Sequence, residues 1–436
     1  MPNKIYGLIV LLCLSTQSAT AQVSFSSLQQ VWDYADKHNI QIQTAAANKL
    51  ITGKQVKQAY GSLYPTISAN GAFTDNLKIQ STLIPANLFN PSIPAGTYTE
   101  ATFGRQYIYN GNIAAQMDLI NTQDWFNIKS AKYNDEIAAL NIEVTKKDLY
   151  EQLANAYYTL ALLNEAEKLS AENVKTATGI YTIVQNKFND GQVSEITLNT
   201  ATINKEKAAK NLEMATQNKR VQLNGLKLLL NIPDSIAIAE KTAVIIADTA
   251  TFADDPAVQL AEVQLLLSKN EWKSSKAAFA PTLSAIYQYN AQISGDEFLK
   301  FGNSNSQPQE YVGLRLSIPL FSGNTRNYQV QKAKVDLTLK QQQFEAARLQ
   351  SAINNQSVVI QYNTAFHAFE NSKNILSLYQ KNDFHAGMRA NEGIIPLDER
   401  LKYYDDLVTN QQEYLQSMSD FFIQQYRLQI RQINFK

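Results

Sequence analysis

The sequence has very little cysteine, no long apolar run and no excess of charge of either sign. Cys13 is the only cysteine among 436 residues. It falls within a segment that we predict to be removed, so disulfides and cysteine–metal sites are excluded from the mature chain. The 39 basic and 39 acidic residues balance, which argues against a nucleic-acid-binding surface. A mean hydropathy of −0.29 excludes a bundle of membrane-spanning helices.

Residues that would carry catalysis are equally scarce. The three histidines, His38, His367 and His385, have no neighbouring ligands at a metal-binding spacing. The chain also lacks a phosphate-binding glycine loop and a nucleophile elbow. We therefore predict that the protein is not an enzyme and that it binds no cofactor or metal.

The first 21 residues have the pattern of an export signal. Lys4 precedes the apolar run 5–14, and an Ala-x-Ala sequence predicts cleavage after Ala21. The alternative, a membrane anchor, needs roughly 20 apolar residues. Leu12 stands where a lipoprotein signal requires a small residue before the cysteine, so lipidation is not expected.

Proline and glycine are nearly absent from two long stretches, 124–188 and 324–391. Apolar residues of the first stretch recur at alternating steps of three and four, which predicts a heptad seam. The seam of the second stretch is weaker. Helices of this length reach roughly 100 Å at 1.5 Å per residue, a length typical of a coiled coil, stalk or tube.

A glycine ends each long helix and the chain then reverses. We predict Gly191 as a left-handed cap and Ser194 as the N-cap of a return helix over 194–231. Gly393 takes the same place in the second stretch, and Pro396 suits the first turn of a return helix over 396–426.

The same order of elements occurs twice, which predicts an internal repeat with a first copy over 22–231, a linker over 232–255 and a second copy over 256–436. Each copy has a helix, two strands, a long helix and a return helix. The predicted elements before each long helix are helices over 40–60 and 257–280 and strands over about 63–75, 106–119, 281–293 and 310–320. The first copy carries an additional loop over 83–100.

Polar and apolar residues alternate along these strands, and tyrosine is frequent in them. Strands of about ten residues with one apolar face are typical of outer-membrane barrels. The alternative is a small sheet that caps a helical bundle. Four strands cannot close a barrel, so subunits would share it: two chains give eight strands and three give twelve, wide enough for a pore. The residues predicted to line its lumen are Thr66, Ser68, Asn70, Gln288, Asn290 and Arg315.

The ordered motifs LYPTISA, FAPTLSA, PLFSGNTR, FNDGQVSEI and NEGIIPLDE resemble those of the TolC-type outer-membrane efflux family over essentially the whole mature chain. The resemblance implies a mainly α fold with transmembrane β: long antiparallel helices forming a trimeric periplasmic α-barrel, joined to a 12-stranded β-barrel with four strands per chain. It implies a passive exit duct that spans the outer membrane, contacts its lipid and extends through the periplasm. The implied partners are two sister subunits, a periplasmic adaptor protein and an inner-membrane RND or ABC pump.

The family also implies a narrow tip beside the helix turns, where members often carry two carboxylates three residues apart. Counting from the turn glycines gives the pore-constriction candidates Asp398, Glu399, Lys402, Thr197 and Thr200. Lys402 departs from the double-acid pattern, and we expect it to pair with Glu399. The adaptor-contact candidates at the turns are Asp190, Gly191, Val193, Gly393, Ile394 and Ile395.

Two other functions are compatible with parts of the sequence. The first is a periplasmic coiled-coil scaffold without transport activity, in which the hairpins form a cap. The second is an uptake porin, although such a protein has no use for helices of roughly 100 Å.

Overall fold

The computed structural model describes residues 23–233, 236–238, 251–303 and 305–435. The predicted export signal therefore lies outside the described residues. Seven α-helices lie within the described ranges, and two of them have more than 60 residues. They are α1 (Leu28–His38), α2 (Ile40–Tyr60), α3 (Thr122–Asn189), α4 (Glu195–Leu230), α5 (Pro256–Ala277), α6 (Thr325–Asn391) and α7 (Leu397–Gln432).

The strands have three to 14 residues; β1 precedes the first helix and the others lie between helices. They are β1 (Val23–Phe25), β2 (Thr66–Asp75), β3 (Ser81–Pro85), β4 (Tyr98–Thr102), β5 (Tyr107–Ile120), β6 (Ile236–Ile238), β7 (Thr282–Gly295) and β8 (Asn305–Ser317). The prediction of a mainly helical chain with two pairs of long strands is confirmed, and so is the repeated order: α2-β2-β5-α3-α4 is followed by α5-β7-β8-α6-α7. The repeat boundaries at 231 and 256 stay a prediction.

The long strands form one antiparallel sheet in the order β2-β5-β7-β8. The additional loop of the first copy contains the hairpin β3–β4, and β1 pairs in parallel with β6. Among the described helices, none combines the length and the hydropathy that crossing a membrane requires.

The described residues divide into two compact units that cut across the repeats. One unit comprises the described parts of the ranges 23–49, 138–262 and 343–435, and the other comprises those of 50–137 and 263–342. The first unit has its core along α3, where Leu149, Leu153 and Leu160 of the predicted seam are buried. The second unit contains the four-stranded sheet.

Several element ends differ from the sequence prediction; β2 begins at Thr66 instead of residue 63, and α5 ends at Ala277 instead of residue 280. Three of the other differences have a clear physical cause. The strand predicted over 310–320 begins earlier and ends at Ser317, because Pro319 cannot donate to a strand ladder. The return helix predicted to end at residue 426 continues to Gln432, because Leu428 and Ile430 are buried in the core. Pro396 is the N-cap of α7, with an extended backbone (φ −67°, ψ 155°), rather than a residue of its first turn.

Candidate functional site

The four-stranded sheet has one polar and one apolar face. Residues directly opposite each other in an antiparallel pair lie on the same face, and successive residues along a strand lie on opposite faces. The register therefore assigns every side chain to a face. All six predicted lumen residues share the polar face: Thr66, Ser68 and Asn70 on β2, Gln288 and Asn290 on β7, and Arg315 on β8.

Amides dominate the middle of the polar face. One row across the sheet takes a single amide from each strand, in the order Asn70, Asn112, Asn290 and Gln309. Asn112 donates to the Oδ1 of Asn290, which also accepts from the Nε2 of Gln288 at 3.0 Å. These contacts satisfy part of the amide hydrogen-bonding capacity and leave an uncharged, strongly polar surface.

Charged residues of the polar face lie at the end of the sheet next to the helices. Asp118, Ser284 and Arg315 share one row, and the Ser284 hydroxyl donates to the Asp118 carboxylate at 2.7 Å. Each chain thus places one anion and one cation at this level of the face.

The opposite face is mostly apolar and exposed. Its charged residues are Asp75 at one end and Glu310, which accepts a hydrogen bond from the Tyr287 hydroxyl at 3.0 Å. Ile67, Val312 and Leu314 are 73%, 79% and 69% exposed in the single chain. Burying such a surface against another apolar medium is strongly favourable. The sequence alternation alone was sufficient to predict this face.

Aromatic residues gather at the end of the apolar face that lies away from the helices. The ring of Phe73 lies 5.0 Å from that of Tyr109 and 6.2 Å from that of Tyr107, and Phe298 packs edge-on at 5.7 Å. Phe298 comes from the β7–β8 turn. Tyrosine and phenylalanine at one end of an apolar face form the kind of aromatic band found at membrane interfaces.

Both outer edges of the sheet are unpaired. In the described residues, β2 pairs on one side only, with β5, and β8 pairs on one side only, with β7. All ten residues of β2 are exposed. An edge of this length presents a row of free N–H and C=O groups, which is a template for pairing with another strand.

The two helix turns have the predicted glycine caps. Gly191 has φ +69° and Gly393 has φ +76°, values that glycine adopts without strain. The N–H of Gln192 reaches the carbonyl of Lys187, and that of Ile394 reaches the carbonyl of Arg389, both at 2.8 Å. The Ser194 hydroxyl caps α4 by accepting from the N–H of Thr197 at 3.2 Å.

The structure places the adaptor-contact candidates unequally. Asp190, Gly191, Gly393 and Ile394 are exposed and Val193 is half-buried. Ile395 is buried in a small cluster with Leu397 and Leu401, so it supports the turn from inside.

Of the constriction candidates, the structure joins Thr197 to Asp398. The Thr197 hydroxyl is buried and donates to the Asp398 carboxylate at 2.8 Å, which ties α4 to α7. Thr200 is half-buried and donates to the carbonyl of Ile196. Glu399 and Lys402 are exposed. Within the described ranges no ion pair joins them, so the pairing that we expected from their spacing is not formed in the single chain.

Two polar contacts near the turns were not predicted from the sequence. Arg400 is 5% exposed, and its guanidinium donates to both oxygens of Asp383 at 2.5 and 3.3 Å. One turn further, Asn204 donates to Asp405 at 2.9 Å, and burial raises the pKa of the Asp405 carboxyl despite this bond. A heptad pattern marks apolar seams, so it gives no signal for such pairs.

A groove of about 510 Å³ adjoins the second turn. Its lining includes Gly179 and Ile183 of α3, Gly387 and Ala390 of α6, and Arg400 of α7. A Cβ atom at Gly179 would meet nothing within 4 Å, so packing within the chain does not require glycine there.

Comparison with known proteins gives consistent results for sequence and fold. Residues 32–231 match the family model described as "Outer membrane efflux protein". The "Toxin and drug export protein A" of Aggregatibacter actinomycetemcomitans is 21% identical over 328 residues, which cover 71% of this chain and 66% of that protein.

Solved structures share the fold across nearly the whole chain. CusC matches with a TM-score of 0.76 at 13% identity, covering 92% of this chain and 90% of its own. The outer membrane protein VceC of Vibrio cholerae matches with a TM-score of 0.75 at 14% identity, covering 94% of this chain and 97% of its own.

Proposed function

We propose that this chain belongs to the outer membrane efflux protein family, whose model matches residues 32–231, and that it is the outer-membrane exit duct of a tripartite efflux or type I secretion system. The observation that carries the proposal is the four-stranded sheet with an apolar face, a polar face and two free edges. The duct is passive: it opens a path through the outer membrane, and a pump in the inner membrane drives export.

The exposed apolar face and its aromatic band support contact with lipid. In hydrocarbon, every backbone polar group must be satisfied within the protein, so the edges of β2 and β8 must pair with other strands. Four strands are too few to close, and eight leave an interior filled by side chains. Three copies give 12 strands and an open lumen, which favours a homotrimer.

The polar face then lines the lumen. Thr66, Ser68, Asn70, Gln288 and Asn290 offer hydroxyl and amide groups that solvate passing solutes without selecting a charge, and Arg315 with Asp118 places opposite charges at the inner end. The name of the Aggregatibacter relative supports toxins or drugs as the class of cargo.

In this proposal, the helix turns lie at the periplasmic end of the duct. We assign Asp190, Gly191, Val193, Gly393 and Ile394 to the contact with a periplasmic adaptor protein, because they are exposed or half-exposed at the turns. Ile395 maintains the shape of the second turn from its buried position. The adaptor connects the duct to an RND or ABC pump.

Glu399 and Lys402 form the constriction in this proposal, with Asp398 and Thr197 holding α7 against α4. Replacing both Glu399 and Lys402 with alanine is expected to raise the single-channel conductance in a planar bilayer. The replacement removes three copies of each long side chain from the constriction and so widens it. The matched control is the double alanine variant of Glu370 and Lys373, an exposed pair with the same spacing on α6. Its conductance should equal that of the wild type; equal conductance of the Glu399/Lys402 variant would refute the assignment.

A periplasmic scaffold is the alternative, and fractionation separates the two. The duct is expected to remain in the outer-membrane fraction after washes with concentrated salt and with carbonate, because lipid-facing strands are held by the hydrophobic effect. A peripheral scaffold is released by these washes. Recovery of the protein in the wash supernatant would therefore reject the duct.

A further inference from the structure

The free edges of the sheet determine how neighbouring copies join. We propose that β2 pairs antiparallel with β8 of the next copy in one register, with Thr66 opposite Ser317 of the partner subunit and Asp75 opposite Pro308 of the partner subunit. This inference rests on the proposed function, because the edges require a partner only if the sheet enters lipid.

The register can be described by how many residues β2 of the partner subunit is displaced along β8. The two faces of the sheet allow only an even number. Within one chain, Thr66 shares a row with Gln116, Ile286 and Gly313. Without displacement, this row would continue from Gly313 to Thr66 of the partner subunit. A slip of one residue would turn the polar face of the next copy toward lipid, so only displacements of zero, two, four or six residues keep the faces aligned.

The tilt of barrel strands selects among these values. Membrane barrels have strands tilted by about 35–45°, and a barrel without displacement has no tilt. The tangent of the tilt is the total displacement along the strands divided by the width of the 12 strands. A displacement of four residues at each of three seams gives a tilt of about 35°, with about 3.3 Å per residue and strands about 4.8 Å apart. Six residues per seam give about 46°, and two give about 19°.

The strand ends select the direction. Displacement by four residues toward Ser317 places all ten residues of β2 opposite residues of β8. The same displacement in the other direction leaves only about half of β2 paired. In addition, β5, β7 and β8 each continue four residues past the row of Thr66, to Ile120, Thr282 and Ser317. The proposed register brings Thr66 of the partner subunit level with these ends.

The positions of two prolines are compatible with a displacement of four residues and not with a displacement of zero or six. Pro308 lies within β8, and a proline in an edge strand has its missing N–H on the free side. In the proposed register it meets Asp75 in the last pair of the seam, whereas without displacement it would interrupt the middle, opposite Gly71. A displacement of six would place Thr66 opposite Pro319, beyond the end of β8.

The register also completes the charged row of the lumen. Arg315 lies beside Ser68 of the partner subunit. On its other side, Asp118 of the same chain lies two strands from Arg315 in the same row. Around the closed barrel, the threefold symmetry repeats this Asp118–Arg315 pair three times at the inner end of the lumen. The partner copy supplies the hydroxyl next to each guanidinium.

Cysteine cross-linking of the full-length protein in outer membranes tests the register. Ser68→Cys is combined with Arg315→Cys, Tyr311→Cys or Ser317→Cys, which report displacements of four, zero and six residues. Opposite residues of antiparallel strands lie within disulfide distance, whereas diagonal ones are about 7–8 Å apart. Under mild oxidation, we expect the Arg315→Cys combination to give at least about fivefold more covalent oligomer than either of the others. The Ser68→Cys single variant, which also controls for Cys13, should give none.

Each other outcome overturns a defined part of the account. A dominant product from the Tyr311→Cys or Ser317→Cys combination would show a displacement of zero or six residues instead of four. The register would then be wrong, and the shared barrel would remain supported. If no combination cross-links although the protein is trimeric in detergent, the proposed register is wrong. If no combination cross-links and the protein is monomeric, the proposed function itself fails.

Discussion

Asp383→Asn is expected to lower the free energy of unfolding by about 3–5 kcal/mol, because it leaves a buried guanidinium without its counter-ion. Asp383 and Arg400 are 9% and 5% exposed, and the guanidinium contacts both carboxylate oxygens. Asparagine keeps the shape and removes the charge. Urea unfolding of the detergent-solubilised protein, followed by far-ultraviolet circular dichroism, measures the change through the transition midpoint.

An exposed pair on the same helix provides the control. Glu370 and Lys373 are 4.0 Å apart, with side chains 42% and 60% exposed, so Glu370→Gln should change stability by less than about 1 kcal/mol. The double variant Asp383→Leu, Arg400→Met should recover most of the loss, because replacing both members of a buried pair by apolar residues is often neutral. Equal midpoints for Asp383→Asn and Glu370→Gln would show that the buried pair does not stabilise the turn region.

Asp255→Asn is expected to cause a loss of similar size, about 3–5 kcal/mol, because one carboxylate holds two largely buried cations. The Asp255 carboxylate accepts from Lys147 of α3 and from Arg431 of α7, both at 2.8 Å. The Ser351 hydroxyl of α6 donates to it at 3.1 Å, and the N–H of Ala257 does so at 3.2 Å. This one residue thus connects three helices and caps α5. The matched control is Asp254→Asn, since Asp254 is the exposed neighbour.

The loss of unfolding free energy caused by Asp255→Asn should become smaller as the pH falls. Burial raises the pKa of Asp255, but the hydrogen bond and charge of Lys147, the Ala257 N–H and the charge of Arg431 outweigh it and hold the pKa below its ordinary value. A depressed native pKa stabilises the fold above the unfolded value of about 3.9, and this contribution is lost as pH falls through the native pKa. We expect a constant difference from wild type between about pH 5 and 7 that shrinks below about pH 4. A difference that grows on acidification would contradict this account of the site.

The sequence alone was sufficient to predict the long helices, the four strands and the glycine turns. Periodicity encodes these features locally: the seam of Leu149, Leu153 and Leu160 has a helical period, and Thr66, Ser68 and Asn70 alternate as in a strand. The six lumen candidates share a face for the same reason.

Pairings between distant segments have no such local signal. The β1–β6 ladder, the hairpin β3–β4 and the continuation of α7 to Gln432 depend on contacts that form only in the folded chain. Asp255 lay inside a stretch that the sequence marked only as a linker, and the Asp383–Arg400 pair lies in helices whose pattern reports only their apolar faces.

The size of the extracted particle tests the central claim most directly. If the lipid-facing sheet is completed by sister subunits, light scattering on the detergent-solubilised protein, corrected for bound detergent, will give three chains per particle. A particle of one chain would leave both sheet edges unpaired in lipid and would contradict the shared barrel.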